Sequence, residues 1–311
     1  MSNIENQFNQ VPVGMALARM KVENSPISAF YGRSESGNFR LAFLTENPPI
    51  LIDSTAHLKV VQWSEGPSVY WTSFELLAES AKQVFFVLCE NLINATIGCQ
   101  SEEIAIVAIK NRFSTWKKLF KNPSSAMTDE TYKGLFGELY FLKNWMIQKY
   151  GSNIAVNSWS GADRTAKDFS VSKDWFEIKT VSTNAETVKI SSLTQLDSPF
   201  VGKLVLVKTE KMSDEYDDGE CSVEQLMTSI LDQISDESVK DLFVEKVVQY
   251  GYDIDNTNLN SHKYRTSKMC FYKVDNDFPK ITAKEVPNIE IVRVSYELSI
   301  SSIEKYLEGE K

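Results

Sequence analysis

The sequence has little of what several functional classes require. Only two histidines, His57 and His262, and four cysteines, Cys89, Cys99, Cys221 and Cys270, are available, and the cysteines form no CxxC pair. A zinc site built from these ligands is therefore not expected, and the cysteines are expected to be reduced and structural. No apolar run approaches the roughly 18 residues of a membrane span. The N-terminus, Met1-Ser-Asn-Ile-Glu-Asn-Gln7, lacks the basic and apolar regions of a signal peptide. A cytoplasmic chain with no membrane partner is expected. No G-x-x-x-x-G-K-[ST] loop occurs, so energy from nucleotide hydrolysis would have to come from a partner. Internal repeats and low-complexity tracts are also missing.

What is present is an ordinary globular composition. The 311 residues are 42% hydrophobic and 24% charged, enough for two domains or for one with substantial extensions. The net charge of −9 argues against coating nucleic acid by bulk attraction. It is unevenly spread, however: residues 210 to 245 hold 12 acidic residues against Lys211 and Lys240, and the rest of the chain is close to neutral. Conversely, Lys110, Arg112, Lys117, Lys118, Lys121, Lys133 and Lys143 precede and enter the helix around Glu138. A phosphate-contacting surface and a solvated helix face both account for that basic stretch.

Residues 11 to 75 read as β-rich: Val11-Pro-Val13, Ile27 to Tyr31, Phe39 to Leu44, Ile50-Leu-Ile52, Leu58 to Trp63 and Val69 to Phe74 are short apolar or alternating runs between turn residues. The aromatics Phe30, Tyr31, Trp63, Tyr70, Trp71 and Phe74 suit a packed core, the commoner role, or stacking on bases. Helical patterns cover Leu76 to Asn94 and run from Ser101, with Glu102 and Glu103 in the first turn, toward Phe120. Asn122-Pro-Ser-Ser-Ala126 reads as a linker, and Thr128 can start the next helix. Beyond it, Ile154 to Trp159 is expected as a strand and Lys203 to Lys208 as a buried one. Amphipathic helices are expected over Ser222 to Ile234 and Ser238 to Tyr250, and strands over Met269 to Val274, Ile289 to Val294 and Tyr296 to Ile300. The segment His262 to Lys268 is a second candidate phosphate contact.

The stretch from Gly134 to Thr180 concentrates the chemistry. Around Trp175-Phe-Glu177-Ile-Lys179, strand alternation puts Glu177 and Lys179 on one face. A polar turn at Ser172-Lys173-Asp174 makes a hairpin with the run opened by Asp168, which brings Asp168 beside that face. Glu138 lies within a helix whose apolar stripe runs through Leu135, Leu139 and Leu142, so it borders the core side. Carboxylates near a core are costly unless paired or bound to metal, and two or three of them with water suit a hard divalent ion. On its own, Glu-x-Lys on a strand is usually a solvated pair.

In this order, Glu138, Asp168 and Glu177-Ile178-Lys179 resemble the PD-(D/E)XK nuclease superfamily. Trp159-Ser-Gly161, Asp168-Phe169, Glu177 to Thr180 and Ile190 to Leu196 are similar to a bacterial branch encoded near restriction-modification and anti-phage genes. The departure is Lys167 where proline commonly precedes the aspartate. The resemblance implies a restriction-endonuclease-like α/β (α+β) core, a mixed central sheet flanked by helices, over 129–210. A β-rich domain at 1–75, a helical bridge at 76–128 and a C-terminal α/β extension at 211–311 would complete the chain. It implies catalytic roles for Glu138, Asp168, Glu177 and Lys179. Gln195, the other candidate, would position a water or phosphate, or is a surface amide. It implies Mg2+ or Mn2+ held by Glu138, Asp168, Glu177 and the Ile178 carbonyl. The expected activity is DNA endonuclease in defence, with a co-encoded ATPase or DNA-recognition subunit as partner. The alternatives are a non-catalytic DNA-binding or assembly subunit, and an RNase on the same fold.

Overall fold

The computed structural model describes residues 3–117, 127–161, 167–253, 257–286, 290–291 and 293–311. The linker expected at 122–126, together with Lys118 and Lys121, lies outside the described residues, as does most of the strand expected at 289–294. By contacts the chain divides into two compact units, Met1–Ser124 with Asp253–Thr257, and Ser125–Tyr252 with Asn258–Lys311.

In the first unit, helix α1 (Asn3–Gln10) precedes strands β1 (Ala18–Met20), β2 (Ser28–Arg33), β3 (Phe39–Thr45), β4 (Leu58–Gly66) and β5 (Val69–Leu76). They form one antiparallel sheet in the order β1-β2-β3-β5-β4. Helices α2 (Lys82–Asn94) and α3 (Glu102–Trp116) follow, the latter capped by Ser101 accepting from the Ile104 N–H. Alternation explains the packing: Phe39 and Phe74 point to the helix side, where they meet Phe8, Phe86 and Phe113. Two expected strands are missing. Residues 11–13 form a turn, where Pro12 offers no N–H to a ladder, and residues 50–52 are irregular, with Leu51 84% exposed.

The second unit opens with α4 (Asp129–Phe141), whose cap Thr128 accepts from the Thr131 N–H. It continues through a π-helical turn (Leu142–Met146) into α5 (Ile147–Tyr150). Next come α6 (Ser152–Ser158), β6 (Phe169–Val171), β7 (Asp174–Ser182), β8 (Thr187–Ile190) and β9 (Gly202–Met212). The chain closes with α7 (Val223–Gln233), α8 (Glu237–Tyr250), β10 (Lys263–Val274), β11 (Tyr296–Ser299) and β12 (Leu307–Glu310). The central sheet runs β12-β10-β9-β7-β6, with β7 and β9 parallel and the remaining neighbours antiparallel. This mixed sheet with packed helices is a restriction-endonuclease-like architecture, and residues after 211 supply two of its five strands.

The strand expected over 154–159 is instead helix α6. Gly151, at φ +78°, ends α5 and starts the new helix, and Asn157 Nδ2 donates to the Asn153 carbonyl one turn back. Buried Lys246 on α8 donates to the carbonyls of Val156, Asn157 and Trp159, closing the helix from another element. That tertiary cap has no signal within the segment itself. The apolar stripe of α7, including Leu226, Met227, Ile230 and Leu231, is wholly buried. It is core, not a free docking face.

Candidate active site

The site begins with a hairpin. Ser172 takes φ +55° at the turn, and β6 and β7 pair Phe169 with Phe176, so the next position outward sets Asp168 opposite Glu177. Asp168 Oδ2 accepts from the Ile178 N–H at 2.7 Å, which locks the carboxylate onto the strand carrying Glu-x-Lys. Upstream, Trp159 bridges to Phe169, and Ser160 donates its N–H to the Asp168 carbonyl and its hydroxyl to the Lys167 carbonyl, each at 2.8 Å. The Trp-Ser-Gly stretch thus pins the start of the hairpin.

Glu138 arrives from α4 because α4 lies very close to β7. At Gly137 a Cβ atom would sit 1.8 Å from Thr180 Oγ1, so only glycine permits this approach. Phe141 and Phe176 pack beyond it at 5.4 Å between ring centroids. Both Glu138 oxygens are engaged: Trp159 Nε1 donates to Oε2 and the Tyr250 hydroxyl to Oε1, each at 2.7 Å. On the other face of β7, Lys179 Nζ lies 2.8 Å from Glu177 Oε1, an ion pair in which Glu177 is only 1% exposed.

Electrostatics follow from this crowding. Burial pushes Glu138 well above the ordinary carboxylate range and Asp168 and Glu177 add to it, while the Trp159 and Tyr250 donors oppose it. Asp168 is likewise raised by burial against the pull of Lys179, the Ile178 N–H and Lys167. Glu177 is raised to about 8, by burial first and Asp168 second, with Lys179 and Lys167 opposing. Burial would lower Lys179, yet Glu177 and Asp168 outweigh it and keep the ammonium charged. Three buried carboxylates with raised pKa and a lysine held cationic are the pattern of a functional site.

The fit to a divalent ion can be tested on these contacts. Among the described residues no donor reaches Asp168 Oδ1 or Glu177 Oε2, while Glu177 Oε1 has the Lys179 ammonium beside it. Hard oxygens that repel one another and lack donors suit a hard cation. Also among the described residues, no cluster of three or more His, Cys, Asp and Glu side chains is gathered into a ready ligand set. Asp168 and Glu177 are the pair with oxygen to offer, and Glu138 already has a donor on each oxygen. Ile178 is a buried residue of β7.

Gln195 lies in a short 3-10 turn (Leu193–Gln195), where its Oε1 accepts from the Ser191 N–H at 2.7 Å. That bond closes its own loop. Sequence reasoning gave Lys167 no part in the site, yet its Nζ donates to the carbonyls of Thr194, Gln195 and Asp197 and lies 4.1 Å from the Trp175 ring centroid. Burial brings this lysine down to about 8, and Glu177 opposes the shift. Also missed were Tyr250 and Lys246, one turn apart on α8; the available signal was a lysine on the apolar stripe of Phe243 and Val247.

Several cations of the basic segments are engaged in ion pairs. Lys117 pairs with Asp53 at 3.3 Å, Lys143 with Glu220, Arg265 with Glu210 at 2.5 Å and Lys268 with Glu310 at 2.6 Å. The four cysteines form no disulfide. No helix among the described residues is long and apolar enough to cross a membrane.

No curated protein and no solved structure matches the chain. A family model does, over residues 3–301, and its description reads "Putative PD-(D/E)XK family member" (DUF4420). With that match spanning nearly the whole sequence, the chain belongs to the DUF4420 family of PD-(D/E)XK members.

Proposed function

We propose that the protein is a divalent-metal-dependent endonuclease that hydrolyses phosphodiester bonds of DNA, and that it serves a bacterial restriction or anti-phage system. The observation that carries the reading is the facing pair of buried carboxylates, Asp168 and Glu177, each with one oxygen that no donor reaches among the described residues and with Lys179 ion-paired to the second. Family membership supports nuclease chemistry. Asp168, Glu177 and the Ile178 carbonyl would hold Mg2+ or Mn2+. When bound, such an ion supplies Lewis acidity toward a phosphoryl oxygen and acidifies a water.

The chain's own residues do the rest. Lys179, kept cationic by its neighbours, places positive charge where negative charge grows on the phosphate in the transition state. Glu138, tied to Trp159 and Tyr250, fixes the helix edge of the site. The Ile178 N–H on Asp168 removes the rotational freedom of that carboxylate, so orientation is set before substrate arrives.

The test is plasmid cleavage at high protein concentration with magnesium or manganese, alongside an RNA arm. Cutting of DNA by the wild type, abolished by chelation and by Asp168→Ala or Glu177→Ala, is expected. Cutting that survives chelation or either substitution would remove the assigned site, and cutting of RNA alone would overturn the DNA assignment.

A further inference from the structure

The first unit carries a cavity with a chemistry of its own. On the face of its sheet opposite the helices, strand pairing aligns Phe30 with Ala42, Ala42 with Ser73, and Trp71 with Trp63. The indoles of Trp63 and Trp71 stack with centroids 5.6 Å apart and planes 8° from parallel, and Phe30 meets Trp71 edge-on at 5.0 Å. All three rings are half-buried, unlike Phe74, which is sealed in the core. They wall a cavity of about 600 Å3, which falls in the usual range for ligand sites.

The polar part of the wall narrows the choice of occupant. Two donors of the lining residues, Trp71 Nε1 and Arg40 Nε, are buried without a hydrogen-bond partner among the described residues, although Arg40 Nη2 donates to Glu75 at 3.0 Å. A buried donor left unpaired is costly, and an occupant offering acceptors removes the cost. Arg33, Arg40 and Lys59 in the lining are balanced by Glu35, Glu65 and Glu75. A bare phosphate would meet as many carboxylates as cations, and an acyl chain would leave both donors unpaired. A flat ring with an acceptor on its edge suits the stacked indoles and the Arg40 donor together.

We propose that this cavity binds a nucleobase, in a free nucleotide or in an unstacked strand, stacked on the Trp63–Trp71 pair with an edge acceptor taken by Arg40 Nε once that side chain turns to meet it. The site lies wholly within the first unit and uses none of the residues of the nuclease reading. Its binding is therefore measurable with metal chelated, when cleavage plays no part.

The experiment uses the full chain in EDTA, titrated calorimetrically with the four deoxynucleoside monophosphates, and by fluorescence anisotropy with a labelled single-stranded 10-mer and its duplex. Trp63→Leu, which keeps apolar bulk and removes the ring, should weaken binding at least tenfold while melting as the wild type does. Trp63→Phe should restore most of it, and Trp71→Phe should cost a few-fold through the smaller stacking platform. Binding of the monophosphates assigns a free nucleotide, and binding of the single strand without them assigns an unstacked strand; either supports the site. No binding of either, or binding by Trp63→Leu equal to the wild type, overturns it, as does binding confined to the duplex.

Discussion

Gly137 is where a single missing methyl group sets the geometry of the candidate active site. Adding one brings a carbon to 1.8 Å from Thr180 Oγ1, so α4 must withdraw from β7 and carry Glu138 with it. Gly137→Ala should destabilise the protein by about 1–3 kcal/mol, the usual cost of overpacking, and lower nuclease activity more than its effect on folding predicts. Thr180→Ala in the same chain should recover part of the loss, which a pair of denaturation curves would show. Asp168 and Glu177 lead to a second expectation. Their mutual repulsion is relieved by a cation, so magnesium or manganese at millimolar concentration should raise the melting temperature. In Asp168→Ala that rise should vanish while the metal-free protein melts near the wild-type temperature. Absence of any shift in the wild type, with no binding heat, would remove the metal from this pair.

Helix α8 acts on the site through two residues one turn apart. Tyr250 donates to Glu138, and Lys246 caps α6 so that Trp159 can donate to the same carboxylate. Tyr250→Phe leaves one buried carboxyl oxygen without its donor and should cost about 1–3 kcal/mol. Lys246→Met should loosen α6, which hydrogen exchange of residues 155–159 would report as faster amide exchange. A different titration belongs to α7. Burial raises Glu224 to about 7, opposed by Lys263. Because the folded state then holds its proton more tightly than the unfolded chain does, this group stabilises the fold below about pH 4.5, and the contribution is lost as pH rises through about 7. Glu224→Gln should therefore be neutral at pH 4 and stabilising by about 1–2 kcal/mol at pH 8, allowing for its partial exposure. The same elements show what could be read from residues alone. The hairpin, the Glu-x-Lys face and the start of α4 at Thr128 were legible because turn polarity, alternation and capping are local. The identity of α6 was not, since it depends on a lysine some ninety positions away, nor was the engagement of Glu138, which needs α8 folded over it. Nor was the loop bond of Gln195, whose amide oxygen accepts from the Ser191 N–H.

At the scale of the molecule the question is how an acidic chain would hold a polyanion. Some of its cations are held in internal pairs, Lys143 with Glu220, Arg265 with Glu210 and Lys268 with Glu310. Non-specific affinity scales with the number of phosphates neutralised, so a chain of net charge −9 is expected to bind weakly and to lose that binding easily to salt. With no nucleotide-binding loop in the sequence, we expect low cleavage by the isolated chain and activation by a co-encoded ATPase or DNA-recognition subunit. The acidic segment after β9 is the candidate contact, although not through its whole length. Glu220 is held by Lys143 and Asn144, and Asp217 accepts from Gln225, so both brace the segment against its own helices. Asp214 and Glu215 are exposed and carry no such duty. A variant with both changed to Ser should keep the melting temperature within about 1 °C, because exposed surface substitutions rarely move stability by more than about 0.5 kcal/mol. The same variant should bind the partner several-fold more weakly in co-purification and lose most of the stimulated cleavage at physiological salt. Strong cutting of plasmid DNA by the single chain under those conditions would show that the chain supplies its own grip on DNA, and the partner would then be unnecessary.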